Sequence, residues 1–210
     1  MARAGKLAEP FHAIGRQREA DRLGMLVFLA SELMLFGGVF LAAIVLRLLH
    51  PQDYVAASGQ MKLWLGTANT AVLLTSSLTA ALAVEAARSR RPEWVARWLW
   101  ATVALGILFL GIKGCEYSIE YREGAIPGLP NAHFRSGFEQ LFMNFYLVAT
   151  GLHALHVTGG VALLATAALR PGARQDRCAT FVGNAALYWH LVDIVWIFLY
   201  PTIYLAGAAP

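Results

Sequence analysis

Charge is what this chain has least of. Only 14% of its 210 residues are charged and 58% are hydrophobic, with a mean hydropathy of +0.53. A soluble domain carries about 25% charged residues. The charges present are gathered in short segments between long apolar runs, which leaves almost no sequence for a soluble domain. The formal net charge of +4 is loop charge. No basic patch lies beside aromatics on a soluble surface, so nucleic acid is excluded as a partner. Cysteine is also scarce: Cys115 and Cys178 are too few for a disulfide framework and read as small apolar residues. The topology derived below puts them near opposite membrane faces, where they cannot pair. Met1 to Arg22 is polar with mixed charge, and no small-residue cleavage site follows the first apolar run, so the first span is expected to stay in the mature protein. No stretch alternates as a barrel strand does, and no internal repeat supports an inverted-repeat transporter.

Five apolar segments are long enough to span a bilayer: about 23–49, 63–87, 94–114, 141–169 and 183–206. Backbone groups in lipid must be satisfied within the segment, so these are helices. The expected fold is all-α: a bundle of five transmembrane helices forming a single domain, 23–210, behind a tail, 1–22. The tail and the second and fourth connections, counting Arg97 at a helix start, hold twelve Lys and Arg residues. The opposite side holds five, Arg47, Lys62, Lys113, Arg122 and Arg135. The positive-inside rule then places the N-terminus in the cytoplasm and the C-terminus in the periplasm. Trp64, Trp94, Trp98, Trp100, Tyr117, Tyr121, Tyr200 and Tyr204 form interfacial belts, and 117–140 reads as a long irregular outer loop. Gly37-Gly38, Gly151 and Gly159-Gly160 lie within spans, where small residues let helices approach closely.

Ionisable residues inside spans are the candidate functional groups, because each costs about 2.5–3.5 kcal/mol to insert on translocon scales. His190 and Asp193 stand three residues apart in the last span. They either form a polar clamp within their helix and against a neighbour, contact a lipid headgroup or a partner subunit, or do chemistry. Glu32 in the first span is either a proton antenna, relay or gating acid, or a carboxylic acid hydrogen-bonded to another helix. Glu116 ends the third span and is either near water at the outer interface or, like His153, His156, His190 and Asp193, a candidate for an intramembrane polar clamp or lipid contact. His153 and His156 share one face of the fourth span. With His190 they raise the question of zinc, copper or haem. The surroundings offer few second-shell partners and no thiolate cluster, so no metal site is expected. Each imidazole is expected to bond across helices, with Asp193, Asn144 and Thr158 among the candidate partners.

These residues also carry a resemblance. YWHLVDIVWIFLYPTIYL resembles the last helix of subunit III of haem–copper oxidases, and FYLVATGLHALHVTGGV resembles the helix before it. LGMLVFLASELMLFGGVF is similar to the helix holding that family's intramembrane glutamate, here Glu32; NTAVLLTSSLTAALA and LGIKGCEY match the helices between. The resemblance spans about Leu23 to Leu205 and fits the short five-helix bacterial form. It departs from the mitochondrial pattern at Val84-Glu85-Ala86, which replaces a His-rich end. It implies a subunit without a redox centre, in the bacterial inner membrane, with haem and copper in partner subunits. It implies direct packing against subunit I, association with subunit II, bound phospholipid, and support of proton uptake and turnover in a proton-pumping cytochrome c oxidase of aerobic respiration. Quinol oxidases and accessory proteins of nitric oxide reductase share the resemblance. An independent transporter or proton channel is disfavoured, because no line of ionisable groups crosses the bilayer.

Overall fold

A computed structural model of the chain describes residues 14–128, 134, 136–169 and 175–207, with side chains described outside 14–18 and 175–178. Most of the N-terminal tail, most of the connection between the last two spans, and the side chain of Cys178 lie outside the described residues.

Among the described residues the regular structure is helical: α1 Ile14–Leu49, α2 Pro51–Ser58, α3 Leu63–Arg88, α4 Pro92–Arg122, α5 Gly137–Ala168 and α6 Gln175–Tyr200. All but α2 contain stretches long and apolar enough to cross a membrane. The spans reach further than the hydropathy reading. α4 runs on through the buried polar residues Lys113, Glu116 and Glu120 to Arg122, so the first six residues assigned to the outer loop are helix. α5 starts at Gly137 because Ser136 caps it, its side chain accepting the Glu139 N–H at 3.2 Å. α2 is an element that hydropathy did not reveal. Eight residues are too few for a span, and Pro51 at its first position pre-sets the helical φ.

α3, α4, α5 and α6 form the packed bundle. α4 lies between α3 and α5, and α6 contacts both of those helices from the other side. α1 lies outside it, against α6, α2 and α5. Only 11% of the most apolar stretch of α1 is buried, against 50% in the last span. Its exposed Leu33, Met34, Leu41 and Leu48 make it a lipid- or partner-facing helix rather than a core helix.

The bundle closes on Trp189. Its indole is fully buried and donates Nε1–H to Ser76 Oγ of α3 at 3.0 Å. Gly106 of α4 and Gly160 of α5 hold it from two sides. A Cβ at Gly106 would meet the ring at 2.7 Å, and one at Gly160 would also meet it at 2.7 Å. Gly160 thus serves as the close-approach glycine the sequence suggests. Gly37 and Gly38 do not, since nothing in the chain lies within 4 Å of the Cβ either would carry. Two turns along α6, Trp196 donates to Thr70 Oγ1 at 3.0 Å, so two indoles of α6 bond to α3.

α6 ends in a π-helical turn, Pro201–Leu205. Proline brings no N–H and its ring collides with the carbonyl one turn back, so the regular ladder cannot continue. The last carbonyls, left without N–H partners where the helix stops, are met by α2: Tyr54 OH donates to the Thr202 carbonyl at 2.9 Å, and Ser58 Oγ to that of Ile203 at 2.6 Å. Ser58 Oγ in turn accepts the Gly207 N–H at 2.9 Å. Burial pushes the Tyr54 phenol up to about 12, so it remains a donor across the physiological range.

Gly106→Ala and Gly160→Ala are each expected to destabilise the chain by about 1–3 kcal/mol, as overpacked cores do. Because both press on Trp189, the double variant should lose less than the sum. Thermal unfolding of the three variants in one detergent tests this, and strict additivity would refute the shared wedge.

Candidate functional site

The ionisable groups within the spans form two separate arrangements. The first joins α1 to α5. Glu32 Oε2 lies 2.7 Å from His156 Nε2. The other ring nitrogen, Nδ1, lies 2.7 Å from the Leu152 carbonyl oxygen of its own helix. A carbonyl only accepts, so Nδ1 carries a proton and donates it. The Glu32–His156 bond then holds a single proton in either of two forms. A carboxylic acid donates to a neutral imidazole, or an imidazolium donates to a carboxylate. Both forms are net neutral, which suits a lipid-facing seam. Phe36, one turn along α1, packs edge-on to the His156 ring at 5.0 Å. Phe28 with Tyr188 and Phe40 with Phe198 continue the seam against α6. The side chains of Glu32 and His156 keep 16% and 12% exposure, so the shared proton is not sealed off.

The second arrangement is closed. Lys113 of α4 lies inside the span with its ammonium nearly inaccessible. It donates to Glu116 Oε2 at 2.9 Å, Tyr146 OH of α5 at 3.1 Å, and Tyr204 OH of the π-turn at 2.9 Å. An ammonium has three donors, and all are used. Tyr204 OH donates to Glu116 Oε1 at 2.6 Å, so both carboxylate oxygens are met as well. Tyr117, Tyr146, Trp196 and Tyr204 surround the ammonium, with ring centroids 4.9–5.6 Å away. Aromatic faces stabilise a desolvated cation. With all three ammonium donors and both carboxylate oxygens engaged, this cluster offers no open position to a substrate. Its chemistry is to tie α4, α5 and the end of α6 together.

The remaining polar candidates sit in the α3–α6 layer and the core. His190 Nδ1 lies 2.8 Å from Ser77 Oγ. Asp193 is 3% exposed, and neither of its oxygens has a partner among the described residues. His153 is fully buried between Phe109 and Trp196, with both ring nitrogens unpartnered, and Asn69 is buried in the same condition. Buried polar groups of this kind are commonly met by internal water.

The sequence profile of the family described as Cytochrome c oxidase subunit III matches residues 11–208. The chain belongs to that family. It is 34% identical over 187 residues to cytochrome c oxidase subunit 3 of Thermostichus vulcanus, covering 87% of this chain and 86% of the relative. It is 31% identical over 202 residues to a probable cytochrome c oxidase subunit 3 of Nocardia farcinica, covering 94% and 93%. It is 29% identical over 195 residues to a probable quinol oxidase subunit 3 of Staphylococcus haemolyticus, covering 90% of each chain. As a member of this family, the chain is a multi-pass membrane subunit of an oxidase.

For this subunit III, two expectations about polar partners need correction. Glu116 is not wet: its side chain is 0% exposed and ion-paired, because α4 carries it into the bundle instead of ending before it. The imidazoles do not use Asp193, Asn144 or Thr158. His190 turns to Ser77, His156 to Glu32, and His153 faces aromatic rings. The clamp in the last span therefore runs from α6 to α3 through Ser77, which meets His190 and also faces Asp193. His153, His156 and His190 do not converge on one point, and among the described residues no group of three or more His, Cys, Asp or Glu side chains is placed to hold a metal ion. The residue that sequence reasoning missed is Lys113. It was counted as a loop charge, although its three-residue spacing to Glu116 was a readable sign of a pair on one helical face.

Lys113→Met should destabilise the protein by about 3–5 kcal/mol, since it leaves Glu116 charged and alone in the bundle. Lys113→Met combined with Glu116→Gln is expected to recover at least half of that loss in thermal unfolding. A double variant as unstable as the single one would show that the pair is not what the site depends on.

Proposed function

We propose that this chain is the non-redox subunit III of a proton-pumping terminal oxidase of the cytochrome c oxidase type. It has no catalytic centre of its own: haem and copper reside in partner subunits, and it packs directly against subunit I, with subunit II in the same complex. Its N-terminus lies in the cytoplasm and its C-terminus in the periplasm of a bacterial inner membrane. The carrying observation is the Glu32–His156 pair, a carboxyl and an imidazole sharing one proton at a partly exposed seam. The shared proton shifts within such a pair at constant net charge, and a proton arriving as another leaves keeps the pair neutral, which supports a role in feeding proton uptake by the catalytic subunit. The lightly buried α1 supports a lipid-filled or partner-filled space beside that seam.

A second reading has its own support. Relatives named probable quinol oxidase subunit 3 match at 28–31% identity, close to the cytochrome c oxidase relatives. A complex isolated with this chain that oxidises quinol but not cytochrome c would decide for that reading.

The complex carrying Glu32→Gln is expected to assemble normally, because glutamine keeps the size and one hydrogen bond to His156. Its initial oxygen consumption should match the native complex, while its rate over many turnovers declines faster. Identical progress curves would reduce Glu32 to a structural acid. The isolated chain should show no haem absorption band, and such a band would overturn the non-redox assignment.

A further inference from the structure

At the end of the bundle where α1 gives way to α2, α2, α4 and α5 enclose a pocket of about 180 Å³. That is room for a few waters or one long side chain, a liquid water occupying about 30 Å³. Met61, Phe134, Phe142 and Met143 give it an apolar side, and polar groups line the rest. Its polar groups are mostly acidic: Glu120 from the last turn of α4, Glu123 just beyond it, and Glu139 from the first turn of α5. The nearby amine is already committed. Lys62 Nζ donates to Glu123 at 2.8 and 3.0 Å, and that hydrogen bond holds its ammonium above the usual lysine range. Glu120 is different. It is 3% exposed, lines the pocket, and its Oε1 has no hydrogen-bond partner among the described residues. A buried carboxylate oxygen without a donor is a recognition group waiting for one. These carboxylates are not disposed as a metal cage: among the described residues no set of three or more His, Cys, Asp or Glu side chains is placed to hold an ion.

We propose that this pocket receives a basic side chain, lysine or arginine, from a partner subunit of the oxidase complex, with Glu120 as its acceptor. An apolar side beside a buried carboxylate matches an aliphatic stem ending in a cation. The unsatisfied Glu120 oxygen supplies the complementary acceptor. The inference rests on the oxidase-subunit reading, which supplies the partner.

The test uses the whole complex, purified in mild detergent from cells expressing the native chain or Glu120→Gln. The measured quantity is the ratio of this chain to the haem-bearing subunit after prolonged washing. Removing one member of a buried charge pair should speed dissociation by about tenfold or more. In parallel, a photoreactive side chain at Gln60, an exposed residue on the pocket rim, is expected to capture a partner peptide containing a lysine or arginine. Neutralising that basic residue should weaken retention as much as Glu120→Gln, and combining the two should add little further. Equal retention of native chain and Glu120→Gln, or capture only of lipid or of peptides without a basic residue, overturns the proposal. If Glu120→Gln lowers the thermal stability of the isolated chain as much as it lowers retention, the effect is on folding and the proposal again falls. Absence of any haem-bearing subunit from the native preparation overturns the oxidase reading as well, which separates the two failures.

Discussion

The bundle depends on one wedge. Trp189 is a large aromatic group driven between two glycines on different helices, with its only polar atom bonded to a third. In lipid there is no hydrophobic drive to bring helices together, since the solvent is as apolar as the side chains. Association must come from close packing and from polar atoms with nowhere else to bond. Trp189 uses both at one point, and it fixes the spacing of α3, α4, α5 and α6 together. Trp196 repeats the indole contact to α3 two turns further along, and the Lys113 cluster then secures the far end of the same four-helix unit.

Against that rigid unit, α1 is an attachment. Aromatic pairs and the Glu32–His156 bond connect it to α5 and α6. The two polar arrangements differ in the way this division predicts. In the Lys113 cluster the ammonium and both carboxylate oxygens are met and solvent is excluded, so it stabilises a shape. In the Glu32–His156 pair one proton has two homes of equal net charge and a partly open surface. Burial alone does not separate a structural polar group from a chemical one here. The separation comes from whether the hydrogen-bond inventory closes.

Much of the fold was readable from residue types. Five apolar runs in lipid have one backbone solution, and the structure adopts it within a few residues at most ends. The exceptions share a cause. Hydropathy fades where charges gather, so it ends this span at Gly114 and counts Lys113 with the outer-side charges. A charged side chain can stay inside when its partners are also inside, and those partners come from other helices: Tyr146 is 33 residues away and Tyr204 is 91. No local window contains them. α2 escaped for the opposite reason. It is too short to show periodicity, and its purpose is only apparent beside the π-turn whose carbonyls it satisfies.

The sequence alone determined that the chain is an all-helical membrane protein with five spans, and that Glu32 and the histidines were the residues to inspect, because apolar length and the rarity of ionisable groups in lipid are local properties. Family membership was legible for the same reason, in motifs each contained within one helix. Only the tertiary structure decided which polar groups meet. It joined Glu32 to His156 across 124 residues of sequence, gave His190 to Ser77 rather than to Asp193, and made Glu116 the partner of a lysine in the core. Those choices follow from the angles at which helices pack around Trp189, and helical periodicity, which says which face a residue occupies, does not say which helix that face will meet.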